Sequence, residues 1–493
     1  MSASAEEAAE FRAAFRTFLR WVETQTDERG NEVVALVRTH LGPERLARSV
    51  VSKELPGYEH VNLQVALDHW AAQPGREVHV HGVTVPPHWS GLTLQQLLTG
   101  EGLPPVRLCA PSLIDLPSGP GGQTLACLVT AVLLLEDQRG RYVLMIRGPE
   151  PHEPPLLDVE VAGLPVSDAQ AVQSELTALR STLSVYRGQV LELGGDDRGG
   201  LRLLFADLPH TGRDEVVLPE AVLQRIERHT VGVAAHRTAL LAAGQHLKRG
   251  LLLYGPPGTG KTHTTRYVVG QMSGCTRLLL SGRFLHLIGA INELARELQP
   301  AVAVLEDVDL VAEDRGFGPG SSPVLFDLLD AMDGAAADAD LLFILTTNRA
   351  DLLEPALAAR PGRVDIAVEI GIPDADARRR LLELYSKGVP LELSAQEAER
   401  VIERTEGTTA SFIKELLRRA VLEALEEASP FRTVSGAHVA RALDELLDST
   451  QRVTRALLGV GDADALSPRV LGRTAGGHGG LEGVDIELGQ PFG

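Results

Sequence analysis

After Pro219, short apolar runs alternate with segments of helical period, and this alternation organises the larger part of the chain. Gly250–Tyr254, Leu278–Leu280, Ala301–Leu305, Leu341–Thr346 and Asp365–Ile370 read as strands. Lys261–Met272, Phe284–Leu298 and Pro323–Met332 read as the helices between them, with glycine and proline punctuating the junctions. Such alternation predicts a parallel α/β sheet. From Pro373 the period is helical throughout, giving helices over Ala377–Lys387, Ala395–Glu403, Ser411–Glu427 and Gly436–Asp448. Ser394-Ala-Gln-Glu397 is a capping box that opens the second of them. Residues 456–493 are glycine-rich without sustained period and read as a flexible tail.

Upstream the pattern differs. Residues 5–27 place Ala8, Phe11, Phe15, Leu19 and Val22 at helical spacing, an amphipathic helix suited to packing on its own domain or on a partner. From about 77 to 207 the runs are β-rich. Thr124–Leu135 and Tyr142–Ile146 flank a turn at Glu136–Gly140, and Val190–Leu193 and Leu201–Phe205 flank a second at Gly194–Gly200, so two hairpins are expected. Ala169–Val185 has helical period. The domain reading is therefore an α+β N-terminal domain over 1–215, a nucleotide-binding domain over 219–372, a helical lid over 373–450 and a tail over 451–493. Nothing in residues 1–215 assigns that domain a function. His79 and His81 share one face of a strand, but no further ligands stand at motif spacing, so surface histidines are the better reading than a metal site.

Composition narrows the classes. At 493 residues the chain exceeds one core, and 44% hydrophobic with 23% charged residues is ordinary for a globular protein. The net charge of −19, from 66 acidic against 47 basic residues, repels phosphate backbones and counts against general nucleic-acid binding. Cys109, Cys127 and Cys275 are scattered and odd in number, so neither a disulfide framework nor a zinc knuckle is suggested, and a reducing cytoplasm fits. The longest apolar run, Thr124–Leu135, is short of the about 20 residues a spanning helix needs. The acidic start, Met1-Ser-Ala-Ser-Ala-Glu-Glu, is unlike a signal peptide.

The most specific chemistry is Gly255-Pro256-Pro257-Gly258-Thr259-Gly260-Lys261-Thr262, a GxxxxGK[ST] loop between a predicted strand and a predicted helix. Its glycines let backbone N–H groups turn inward around phosphate oxygens, and the helix N-terminus adds its dipole. Lys261 suits the β- and γ-phosphates of ATP, and the Thr262 hydroxyl suits Mg2+. The wording of the loop, together with Thr346-Thr-Asn348-Arg and Leu353-Glu-Pro-Ala-Leu-Ala-Ala-Arg360-Pro-Gly-Arg363-Val-Asp365 in order, resembles the AAA family of the AAA+ ATPases over residues 219–450. The resemblance implies an α/β fold: a three-layer αβα P-loop module with a C-terminal helical lid, a homo-oligomer (usually a hexameric ring), ATP hydrolysis and an as yet unnamed protein client.

The resemblance also assigns roles. Opposite the loop, Val302-Ala-Val-Leu-Glu306-Asp307 supplies the acids that end the water-activating strand, in the reverse of the family's usual Asp-Glu order. Counting from Pro300 puts Glu306 in the Mg2+ slot, partly through water, and Asp307 in the base slot. A similar inverted pair occurs in family members similar to the mitochondrial translocator of the Rieske protein. Because Asp is a methylene shorter than Glu, slow turnover, with the protein acting as a nucleotide-gated scaffold, stands beside competent hydrolysis. Asp309 reads as a supporting or interface acid. Asn348 matches the sensor that orients the lytic water, where otherwise it is a strand-end cap. Arg360 and Arg363 match the fingers that act on a neighbouring subunit's nucleotide. Val231-Gly232, Tyr385 and Ala410 fall where relatives contact the nucleoside, with a core tyrosine and a plain helix cap as equal alternatives. Leu287-Ile-Gly289 could occupy the position that grips polypeptide in a ring pore, or Leu285, Ile288, Ile291 and Leu294 could form an ordinary amphipathic helix. No HExxH occurs in these residues.

Overall fold

The protein is described here by a computed structural model. The structure describes residues 32–85, 91–100, 103, 106–149, 156–195, 200–281, 284, 287–309, 339–349, 364–427 and 433–448, with Ala14 and Thr17 before them. The leading helix expected over 5–27 (apart from those two residues), the helix expected over 323–332, Arg360, Arg363 and the tail lie outside the described residues. The chain divides into two units, Met1–Leu384 and Tyr385–Gly493.

The first unit begins with a stretch on which the sequence pattern is silent: α1 (Glu32–Leu46), β1 (Val51–Pro56) and α2 (His60–Ala71). There follow β2 (Glu77–Thr84), α3 (Leu94–Thr99), β3 (Arg107–Cys109), β4 (Leu113–Pro117), β5 (Thr124–Leu128), β6 (Thr130–Asp137), β7 (Gly140–Arg147), β8 (Leu156–Ala162) and α4 (Val166–Thr182). Six of these strands form an antiparallel sheet in the order β1-β8-β7-β6-β2-β3. Both faces are covered. Leu133, Leu135, Leu144 and Ile146 pack with α2 and α4, while Val132, Leu134, Val143 and Met145 pack with α1 and α3. That two-sided burial explains why the strands read as unbroken apolar runs.

One expectation is corrected here. The run Thr124–Leu135 is two strands in different sheets: β5 pairs with β4 alone, and β6 pairs with β7 and β2. Between them, Val129 leaves the ladder to donate to Ser112 O at 3.0 Å and to accept from Gly148 N.

The second correction concerns the other hairpin. β9 (Val190–Gly195) and β10 (Leu201–Phe205), expected in the N-terminal domain, extend the next sheet instead. After α5 (Glu220–Glu227), that sheet is built from β11 (Arg249–Tyr254), β12 (Thr276–Ser281), β13 (Ala301–Glu306), β14 (Leu341–Thr347) and β15 (Ile366–Glu369), in the order β10-β9-β12-β13-β14-β11-β15. Every pairing from β9 to β15 is parallel. α6 (Lys261–Gln271) packs Tyr267, Val268 and Val269 on Leu251, Val304 and Ile344, on one face. α7 (Ile288–Glu297) packs Ile288, Ile291 and Leu294 on Leu280, Leu305 and Phe343, on the other. This is the three-layer αβα arrangement expected from the alternation.

The N-terminal sheet and this one are joined by packing. Val61 and Cys127 belong to the same apolar cluster as Leu193, Leu280, Ile291 and Phe343. Asn62 accepts from Val185 N at 2.9 Å, and Tyr186 Oη donates to Tyr58 O at 2.6 Å. Arg180 bridges Glu59 at 2.9 Å and Glu297 of α7 at 3.2 Å.

The helix α8 (Ala375–Ser386) leads into the second unit, which holds α9 (Ala395–Arg404), α10 (Ala410–Glu427) and α11 (Gly436–Leu447). The predicted capping box opens α9: Glu397 N donates to Ser394 Oγ, and Glu397 accepts from Ser394 N at 2.8 Å. Val401, Ile402, Phe412, Leu416 and Leu443 are among its buried residues.

Candidate nucleotide site

Parallel order brings the C-terminal ends of β11, β13 and β14 to one edge of the sheet, and the chemistry collects there. β11 ends at Tyr254 and turns into the phosphate loop, where Gly255, Gly258 and Gly260 have φ of 141°, 77° and 109°. A Cβ on Gly255 would stand 2.3 Å from Ile370 O, so that position admits only glycine. Thr259 Oγ1 donates to Pro256 O at 2.9 Å and closes the loop on itself.

Lys261 opens α6 and is buried, with Nζ donating to Gly255 O and Pro256 O, each at 2.8 Å. Burial lowers its pKa, and the nearby Asp307 and Asp309 oppose that shift. A buried ammonium resting on two carbonyl oxygens of its own loop can exchange them for phosphate oxygens at little structural cost.

β13 delivers the acids. Glu306 is hydrogen-bonded to the Thr262 hydroxyl, and its carboxyl pKa is raised by burial and by Asp307, against Arg266 and the Thr262 bond. A hydroxyl and a carboxylate in contact are hard oxygen donors of the kind Mg2+ takes, so the residues present fit that ion. Asp307 is pushed up by burial and then by Asp309, while Lys261 and a side-chain hydrogen bond from Asn348 pull it down. The structure thus brings Lys261, Thr262, Glu306, Asp307 and Asn348 together.

Two contributors, Thr346 and Glu192, escaped the sequence reading, whereas Asp309 reads there as a supporting acid. Thr346 Oγ1 accepts from Asp307 N at 3.1 Å. Asp309 accepts from Thr347 Oγ1 at 3.0 Å and from Asn348 N at 3.2 Å, and so ties the end of β14 to the turn after β13. Beside Glu306 a cavity of about 180 Å3 is lined by Glu192, Thr265, Arg266 and Ser281. Glu192 enters only because β9 joins this sheet, a pairing that no local pattern announces.

Of the expected nucleoside contacts, Val231 lies in the turn Arg228–Gly232 and packs against the cluster containing Leu251 and Val268. Tyr385 and Ala410 belong to the second unit, where Tyr385 is half-buried with its phenol pKa raised by burial, and Ala410 begins α10. The pore position resolves toward the amphipathic helix. Ile288, Ile291 and Leu294 are buried, while Phe284 and Leu287 pack half-buried on the same core, their side chains lying over Gly195 of β9.

A family model described as "ATPase family associated with various cellular activities (AAA)" matches residues 251–372. Residues 251–372 carry an AAA domain. Among similar curated proteins are the ATP-dependent zinc metalloprotease FtsH of Rhodococcus erythropolis, 31% identical over 290 residues, covering 53% of this chain and 33% of that protein. FtsH of Mycoplasmopsis synoviae is 28% identical over 323 residues, covering 63% and 46%. FtsH 3 of Symbiobacterium thermophilum is 32% identical over 260 residues, covering 50% and 41%. The chain thus spans a third to just under half of these relatives. Among solved structures, the FIGL-1 AAA domain matches at 22% identity with a TM-score of 0.41, covering 50% of this chain and 87% of that one. No helix among the described residues is long and apolar enough to cross a membrane.

Proposed function

We propose that this AAA-domain protein hydrolyses ATP with Mg2+ as a homo-oligomer, a hexameric ring by resemblance, and uses the turnover to remodel a protein client or complex in the cytoplasm. The observation that carries this reading is the meeting of Lys261, Thr262, Glu306, Asp307 and Asn348 at one sheet edge. Lys261 offsets charge on the β- and γ-phosphates, and Thr262 with Glu306 would hold Mg2+, which supplies charge neutralisation at the transferring phosphoryl group. Asp307 takes the role of base toward the attacking water, and Asn348 orients that water. Burial keeps the Asp307 carboxyl more basic than usual, which suits it to accept a proton. Arg360 and Arg363 complete the site from a neighbouring subunit in this reading. Three free thiols, Cys109, Cys127 and Cys275, suit a reducing compartment.

A second reading, a nucleotide-gated assembly factor with slow turnover, is favoured by the inward packing of Phe284 and Leu287, which turns both side chains onto their own core. In either case the N-terminal domain, whose residues share a core with α7, is the element that carries nucleotide-driven movement outward. The two readings separate in one experiment. Mg2+-dependent phosphate release should be lost in Lys261→Ala, and Asp307→Asn should accumulate ATP-bound oligomers. Unchanged release in Lys261→Ala would sink both, whereas slow release that Asp307→Asn leaves as it was selects the scaffold.

A further inference from the structure

Asp307 has φ of 52° and is the one non-glycine residue with positive φ among the described residues. In that region the Cβ of an L-residue crowds its own backbone, and Asp and Asn tolerate it best because their short side chains hydrogen-bond locally. Glutamate has no such help. The left-handed turn falls where the β13–β14 ladder ends, after the pair Leu305 and Leu345.

Beyond that pair, Thr346 supplies both acceptors that hold the turn. Its Oγ1 takes Asp307 N at 3.1 Å, and its carbonyl takes Val308 N at 3.0 Å. Thr346 is 1% exposed, so its hydroxyl has a fixed direction. One residue on, Asp309 ties Thr347 and Asn348 back to the same turn. The Asp307 carboxylate then reaches the Asn348 side chain.

We propose that Thr346 is a positioning residue that holds Asp307 in the left-handed turn aiming its carboxylate at Asn348, and that the reversed order Glu306-Asp307 is matched to that turn. The missing methylene is offset by redirecting the Cα–Cβ bond, so aspartate fits the base position and glutamate does not. The proposal rests on the hydrolytic reading for its kinetic consequences but not for its geometry.

The test therefore has two arms. Thr346→Val keeps shape and removes the acceptor. It should lower kcat roughly 10- to 100-fold with nucleotide affinity and KM nearly unchanged, and Thr346→Ser should recover most of the loss. Asp307→Glu, which restores the family's usual base, should turn over more slowly than the natural protein. Unchanged kcat in Thr346→Val, or Asp307→Glu equal to or faster than the natural chain, overturns the proposal. The second arm needs no turnover. Because position 307 is left-handed, Asp307→Gly should melt above Asp307→Ala by roughly 2 °C. Equal melting, or alanine the higher, overturns the proposal even if the protein proves inactive. Inactivity of the natural chain alone sinks only the hydrolytic reading.

Discussion

The two large sheets of the first unit are made of the same kind of strand and end in different uses. β6 and β7 are as apolar as β13 and β14, and all four are sandwiched between helices. The N-terminal strands run antiparallel, so successive strand ends emerge on opposite edges, and the polar side chains gathered at one of them, Arg76, Asp137, Arg139 and Glu175, pair with one another. The parallel strands put Tyr254, Glu306 and Thr347 at the same edge, with Lys261, Asp307 and Asn348 just beyond. Strand direction, more than strand composition, decides which sheet can hold phosphates. Further buried charge of the N-terminal domain lies at the junction, where Arg180 spans Glu59 and Glu297.

The comparison is tested hardest by removing the largest side chain of the N-terminal core. Trp70 is fully buried, donates to Glu175 at 2.9 Å and lies under the Arg76 guanidinium, 3.7 Å from its ring centroid. Trp70→Ala should cost about 3–5 kcal/mol. If the shared cluster makes the two sheets one cooperative body, unfolding of the variant should remain a single transition, and nucleotide should raise that whole transition. Two transitions, with nucleotide moving only one of them, would show sheets that fold independently.

Legibility in the sequence follows the same division. Gly255–Thr262, Glu306-Asp307 and Asn348 are each local: a loop between strand and helix, an acid pair after an apolar run, an amide after another. Their meeting follows once a parallel sheet is inferred. The β9–β10 pair was not legible as part of the ATPase sheet, because period two shows that a hairpin forms and leaves open which edge it joins. Thr124–Leu135 misled for a related reason, since a change of sheet at Val129 leaves apolar character unbroken. Residues 28–76 gave no strong period because α1 carries Pro43 inside it and Gly42 at φ 68°, and α2 is buried around most of its circumference, including His60, Asn62 and Gln64. Thr346 was visible only as one residue of Thr346-Thr-Asn348, and its hydroxyl bond to Asp307 depends on inter-strand register.

The junction gives the next sharpest test. Glu59 is buried, and burial raises its pKa above the usual carboxylate value, with Arg180 opposing. A raised folded pKa means the folded state holds the proton more tightly than the unfolded one. The stabilisation is therefore full below pH about 4.5 and is lost as pH rises through the folded pKa. Arg180→Met removes the opposing charge, so the loss becomes deeper. The variant should be less stable by about 2–3 kcal/mol at pH 8 and by less at pH 5, read from urea midpoints at the two values. An equal loss at both would mean that Arg180 acts through packing and that Glu59 does not feel its charge.

The smallest expected effect bears on where the sheet boundary lies. Gly195 pairs with Leu201 in the hairpin, and a Cβ there would sit 3.4 Å from the Phe284 ring and 4.0 Å from Leu287. Alanine is an ordinary contact at those distances, but valine carries two further methyl groups toward a ring already packed on the core. Gly195→Val should therefore cost about 1 kcal/mol and Gly195→Ala much less. Phe284 follows Ser281, which pairs with Glu306 across β12 and β13, so the displaced ring lies three residues from the acid strand's partner. If the hairpin is working structure of the ATPase sheet, Gly195→Val should also lower turnover by about 2-fold while Gly195→Ala does not. A stability loss of the expected size with turnover untouched would leave the hairpin attached to this sheet but mechanically idle, and would point to the Arg180–Glu297 contact with α7 as the next route to test.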